Sequence, residues 1–299
     1  MNLSKRVINF SLAFIVATIL GCSLSPTKVY TVQSVDLAGL TKSLDKPIKV
    51  TDKTILIDAR PTFEYAVAHL AGAVNVQWVE FADLRGPFPG RLKADLQSEA
   101  RKLARLGITP KSHVVVVGSG LNGRGEEGRL AWTLLYLGVK NVEVAHVDSL
   151  GLYYSNMDVP PKENVPYWEP QLAGSIWAER DEVKDAINLR HNERVHILDV
   201  RSKNEYFSKN KALEYEVPDL RAINIEWFEF YRTDGRPNPA IKEQLRAINV
   251  QQADRIIVIC DNGLRSGAVT YALLAMGYKK AASMAGGYPE LLKLPQNRK

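Results

Sequence analysis

The chain reads as an α/β protein made of two copies of one domain, each a mostly parallel central sheet flanked by helices. Three observations predict this. Short apolar runs alternate with helical patterns along the chain, as βα units with parallel strands require. The run Ile-Leu-Ile-Asp-Ala-Arg ending at Arg60 has a counterpart, His-Ile-Leu-Asp-Val-Arg, ending at Arg201. The period from Asp58 to Asp199 is 141 residues, too long for a solenoid unit and right for a whole domain. Finally, 299 residues accommodate two domains of ordinary size.

The first residues are set apart from the fold. Lys5 and Arg6 precede a mostly apolar run ending at Leu20, and Ile19, Leu20, Gly21 and Cys22 resemble a bacterial lipobox. That reading makes 1–21 a lipoprotein signal peptide, Cys22 the lipidated residue and 22–35 a tether. An ordinary cleaved signal and an uncleaved anchor are the alternatives, and the apolar run is too short to span a bilayer as a helix. Ser23 in place of Asp favours the outer membrane, so the expected address is the cell envelope, lipid-anchored and facing the periplasm. Removing Lys5 and Arg6 lowers the formal charge from +6 to +4. A balance that small and scattered argues against a nucleic-acid partner.

The first copy is expected over 36–158. Its strands fall at 55–57, 74–76, 114–117 and 142–147, and its helices at 63–69, 94–106 and 128–137. Pro160, Pro161, Pro166 and Pro170 punctuate a linker at 159–174. The second copy, 175–299, repeats the order with strands at 197–200, 222–225, 256–259 and 281–284. A charged, loop-like insertion at 209–219 replaces the tidy glycine turn at Gly72 in the first copy.

The chemistry concentrates at one place. Ile256, Ile257, Val258 and Ile259 form a buried strand that delivers Cys260 to a short loop, Asp261, Asn262, Gly263, Leu264, Arg265 and Ser266. A helical pattern through Val269, Leu273 and Met276 follows at once. A thiol there is expected to be open to solvent and to face loop N–H groups and the positive end of a helix, both of which favour thiolate. A cysteine ending an apolar strand also fits a plain core residue; the glycine, the arginine and the immediate helix favour the reactive reading. Aligned on the same strand, the first copy carries Gly118 and has no thiol. Its glycine-rich run lacks the Gly-Lys-Ser/Thr of a phosphate loop. Arg124, Glu126 and Glu127 stay open between a surface loop and a partner contact. With Cys22 acylated, Cys260 is the single remaining thiol, so neither a disulfide nor a resolving cysteine is available within the chain.

The segment from Cys260 to Ser266 resembles the active-site loop of rhodanese-type sulfurtransferases. Asp199 and Arg201 with Glu205 and Tyr206 look like that family's D-x-R strand and following helix. Gly286, Gly287 and Tyr288 look like its closing turn, and His69, Gly72 and Ala73 like its histidine-glycine-alanine turn. Together these markers resemble the tandem rhodanese architecture, in which the first domain is usually catalytically empty.

The resemblance implies a sulfur relay through a Cys260 persulfide, from a small sulfur-containing anionic donor to a thiol or cyanide acceptor. The scattered His69, His113, His146, His191 and His196, with no H-E-x-x-H or paired C-x-x-C, give no support for a metal or other cofactor. Asp261, Asn262, Gly263, Leu264, Arg265 and Ser266 would bind substrate. Asp199 and Arg201 would be structural near the site, and His69 structural in its turn. Arg265 is expected to orient the loop and meet the donor, or to pair with a carboxylate. Asp261 departs from the basic residue that thiosulfate-preferring members often place after the nucleophile, which favours a less charged donor. Ile259 stands where related phosphatases place a histidine, which argues against phosphatase chemistry. The alternative is a non-catalytic chalcogen-binding or accessory lipoprotein, with an envelope protein as partner.

Overall fold

The computed structural model describes residues 40, 44–155, 165–188, 194–207 and 220–292. The leader, Cys22, the tether, His191 and the insertion at 209–219 lie outside the described residues, as does the start of the linker, 159–164. Everything described belongs to one compact unit, residues 32–299.

The first half contains β1 (Ile55–Asp58), α1 (Thr62–Val67), β2 (His69–Leu70), β3 (Ala73–Asn75), α2 (Leu96–Arg105), β4 (His113–Gly118), α3 (Glu126–Leu137), β5 (Asn141–His146) and β6 (Tyr154–Ser155). The second contains α4 (Arg180–Asn188), β7 (Val195–Asp199), α5 (Lys203–Phe207), β8 (Ile223–Asn224), α6 (Ile241–Ala247), β9 (Arg255–Ile259), α7 (Leu264–Ala275), β10 (Ala281–Ser283) and α8 (Gly287–Leu291). The sheets run β3-β1-β4-β5 and β8-β7-β9-β10, all parallel within each. The two halves therefore share one strand order.

The duplication extends to single hydrogen bonds. Arg60 and Arg201 each clasp the aspartate two residues back, with Nη2 to Oδ2 distances of 2.7 Å in both. Asn75 Nδ2 donates to the Asp58 and Arg60 carbonyls, and Asn224 Nδ2 donates to those of Asp199 and Arg201. The Tyr65 hydroxyl reaches the Ala73 carbonyl, and Tyr206 repeats this at Ala222. Asp58 pairs in register with Val117 and Asp199 with Ile259, so Gly118 and Cys260 occupy equivalent positions one residue further on.

One expected helix ends early. Ala68 is extended, with φ −164° and ψ 135°, and His69 enters β2, which pairs with β6. His69 is buried, its ring stacked 3.9 Å from Tyr65 and its Nδ1 2.9 Å from the Tyr65 carbonyl. Those contacts outweigh continuation of the helix.

The halves meet along α3 and α7. Every residue of α7 and all but two of α3 are buried, as mostly apolar helices enclosed between packed layers require. Small residues permit the close approach. A Cβ added at Gly128 would come within 3.0 Å of the Ala268 backbone, and one at Gly267 within 2.6 Å of Arg129 Cδ. Polar bonds cross the seam as well, from Trp132 Nε1 to the Ile176 carbonyl at 3.1 Å and from the Tyr271 hydroxyl to the Val142 carbonyl at 2.9 Å. The largest apolar cluster draws on both halves continuously.

Candidate active site

β9 is apolar from Ile256 to Ile259 and lies in the middle of its sheet, and its last peptide hands Cys260 to the loop at the carboxyl end. The Cys260 carbonyl accepts from the Tyr288 N–H at 3.0 Å, tying the loop to α8. Its sulfur receives two backbone amides, Gly263 N–H at 3.2 Å and Ser266 N–H at 3.3 Å. The thiol in turn points at Ser266 Oγ, 3.6 Å away. Gly263 adopts φ +83°, which swings its amide inward, and a Cβ there would lie 1.8 Å from the Ala285 carbonyl oxygen. Only glycine fits both demands. Leu264 N–H is spent on Asn262 Oδ1 at 3.2 Å, so Gly263 and Ser266, rather than the whole run from 262, supply the amides found on the sulfur.

The expectation of a solvent-open thiolate is not met. Cys260 is fully buried, and burial pushes its thiol above the ordinary value. Asp261 pushes the same way, while Arg265 and the Ser266 hydroxyl and amide pull it down. The first half packs against this loop. A Cβ on Gly90 would sit 1.9 Å from the Asn262 carbonyl oxygen and 2.2 Å from that of Ala285, so the backbone at Gly90 lies directly on the cysteine loop.

Arg265 pairs with carboxylates. Its Nη1 and Nη2 meet the two oxygens of Glu205 at 2.7 Å each, and Nη2 also meets Asp261 Oδ1 at 2.9 Å. The guanidinium holds the Glu205 carboxyl down to about 2. Asp199 and Arg201 bond each other bidentately, the Tyr288 hydroxyl donates to Asp199 Oδ2 at 2.8 Å, and the Arg201 guanidinium lies 4.1 Å over the Tyr288 ring. This buried cluster braces the ends of β7 and α8 beside the loop.

Two residues that sequence reasoning left aside are prominent. Glu127, read as a surface or partner residue, is buried. A Cβ on Gly118 would fall 2.3 Å from its Oε2, so in the thiol-less copy a carboxyl group fills the place of the nucleophile. Burial raises Glu127 to about 8, against its own amide and that of Gly120. Arg129, two residues further, reaches from α3 into the cysteine loop, with Nη1 on the Gly263 carbonyl at 3.0 Å. The available signal was a pair of charges within a helix whose remaining faces are apolar.

Among the described residues no group of three or more His, Cys, Asp or Glu side chains is placed to hold a metal. His113 and His196 instead pair with Glu143 and Asp254.

The rhodanese-like domain model matches residues 40–147 and again 182–293. The chain belongs to the rhodanese-like domain family. Both matches contain a D-x-R strand, and only the second contains a cysteine. Thiosulfate sulfurtransferase YnjE of Escherichia coli (strain K12) is 23% identical over 251 residues, covering 78% of this chain and 56% of that protein. The chain thus spans about half the length of the curated relative it matches. The crystal structure of YnjE superposes with a TM-score of 0.67 at 20% identity over 89% of this chain and 67% of the other. Wild-type EanB gives 0.68 at 20% identity over 87% and 66%. SseA, a 3-mercaptopyruvate sulfotransferase from Escherichia coli, gives 0.64 at 20% identity over 86% of this chain and 99% of its own. These likenesses establish the tandem rhodanese fold.

Proposed function

We propose that this rhodanese-family chain is a sulfurtransferase that carries a sulfane sulfur on Cys260. The observation that carries the reading is the convergence of the Gly263 and Ser266 amides on the Cys260 sulfur at the head of α7. The Cys260 thiolate attacks the outer sulfur of the donor. A new S–S bond forms, the donor's S–S bond breaks, and the leaving group takes the electron pair. The persulfide that remains has its charge held by the two amides, which need no reorganisation. An acceptor thiol or cyanide then attacks the terminal sulfur, and the Cys260 thiolate departs as leaving group. The name of the E. coli relative and the sulfurtransferase fold support this reading.

The charges around the loop favour a donor with little negative charge. Arg265 is matched by Glu205 and Asp261 together, so the loop presents no free cation of its own to a dianion such as thiosulfate. A polysulfide or persulfide fits better. The full burial of Cys260 favours a second reading, a chalcogen-binding or accessory protein without turnover.

One experiment separates them. Reduced protein is incubated with polysulfide, thiosulfate or 3-mercaptopyruvate and its intact mass followed. One added sulfur, lost in Cys260→Ala and discharged by cyanide, is the expected result, with polysulfide fastest. Asp261→Asn should narrow the gap between polysulfide and thiosulfate by several-fold, about the effect of removing one half-exposed charge. No mass gain with any donor would leave the accessory reading.

The proposed setting is the cell envelope, with lipid on Cys22 and an envelope protein as partner. The motif ending at Cys22 supports it.

A further inference from the structure

Arg129 is fully buried, and no carboxylate meets it among the described residues. Its Nη1 donates to the Gly263 carbonyl at 3.0 Å and its Nη2 to the Gly90 carbonyl at 2.6 Å, while Nε has no partner. The guanidinium lies 4.5 Å from the Trp132 ring and 5.6 Å from that of Trp78, and its chain packs over Gly267 in the first turn of α7. A buried, unpaired cation is costly, and carbonyls and ring faces offset only part of that cost. It persists where something anionic is to be met. Gly263 is the residue whose own N–H points at the Cys260 sulfur, and Arg129 grips it by the carbonyl.

We propose that Arg129, contributed by the half that lacks a nucleophile, is a positioning residue for Cys260: it clamps Gly263 so that its amide faces the sulfur, and it supplies the uncompensated positive charge that the thiolate and persulfide require. This extends the sulfur-relay reading, on which it rests.

The electrostatics agree. Burial pulls the Arg129 guanidinium down to about 9, and Cys260 draws it back up, so it stays protonated at neutral pH and gains when the thiol ionises. The arginines around the loop and next to Gly90 are matched by carboxylates. Arg265 is held by Glu205 and Asp261, Arg201 by Asp199, and Arg91 by Glu179 and Glu290. Among these described arginines, Arg129 is the one without a carboxylate partner. The charge-bearing side chain on the opposite helix therefore makes the vacant first domain part of the active site and gives a chemical reason for two domains in one chain.

The test is a thiolate titration of the full chain by ultraviolet difference absorbance, each protein measured against its own Cys260→Ser counterpart. The rate of persulfide formation from inorganic polysulfide is followed over the same pH series. Arg129→Met removes the charge, Arg129→Lys retains it on a single-point donor, and Arg129→Gln keeps an amide donor for Gly263 if the methionine variant does not fold. The neutral variants should raise the thiolate midpoint by about one pH unit and slow persulfide formation near neutral pH about tenfold. Arg129→Lys should restore the midpoint. A side chain that only glues the halves together would lower the melting temperature and leave the midpoint where it was; that outcome overturns the proposal. Because the titration needs no donor, an unmoved midpoint alongside normal wild-type persulfide formation rejects the role of Arg129 alone. A shifted midpoint without persulfide in any protein rejects the relay alone.

Discussion

At the scale of single residues the two copies differ by one exchange of chemistry in one place. Where Cys260 offers a sulfur to two amides, Gly118 leaves room that the Glu127 carboxyl occupies. The consequence is a buried acid raised from an ordinary 4.5 to about 8. Between those values the folded chain retains a proton that the unfolded chain has released. Stability should therefore fall as pH rises from about 4.5 to about 8 and level off above, with a slope approaching 1.4 kcal/mol per pH unit at most. Glu127→Gln should flatten that segment of the curve, as chemical denaturation at a series of pH values will reveal. An unchanged slope would mean that the carboxyl is ionised in the native state.

At the scale of elements, what matters is which backbone touches which. The segment through Gly90 belongs to the first half, yet its main chain rests on the carbonyls of Asn262 and Ala285. Even one methyl group there must displace backbone. Gly90→Ala should cost about 1–3 kcal/mol by overpacking, and it should disturb the cysteine loop directly. Sulfur transfer is expected to fall by much more than the fraction unfolded at the assay temperature. Equal losses of activity and folded protein would show that the contact is only structural. The α3–α7 pair follows the same logic, since Gly128 and Gly267 are small where the opposing helix is closest.

At the scale of the whole molecule, α3, α7 and the tryptophan and tyrosine hydrogen bonds between halves join both sheets to one apolar core. The halves should unfold together. Tryptophan fluorescence and far-ultraviolet circular dichroism are expected to trace the same melting curve, and two separated transitions would contradict a shared core.

The sequence alone carried the duplication and the succession of strands and helices along the chain, and it singled out Cys260, because these depend on local pattern: apolar strands, turn glycines, and a cysteine at a strand end ahead of a helix. It placed Arg265, Asp199 and Arg201 beside the cysteine loop and left their partners open. It read Glu127 as a surface or partner residue and passed over Arg129, and it expected an exposed thiol. Those properties arise from contacts between residues far apart in the chain. Gly90, whose backbone rests on the cysteine loop, lies 170 positions before Cys260, and the cation that grips Gly263 comes from the opposite half. Whether a charge on a helix faces water or a neighbouring loop is decided only when the two halves close on each other, because desolvation depends on what packs above a group and not on what precedes it in sequence.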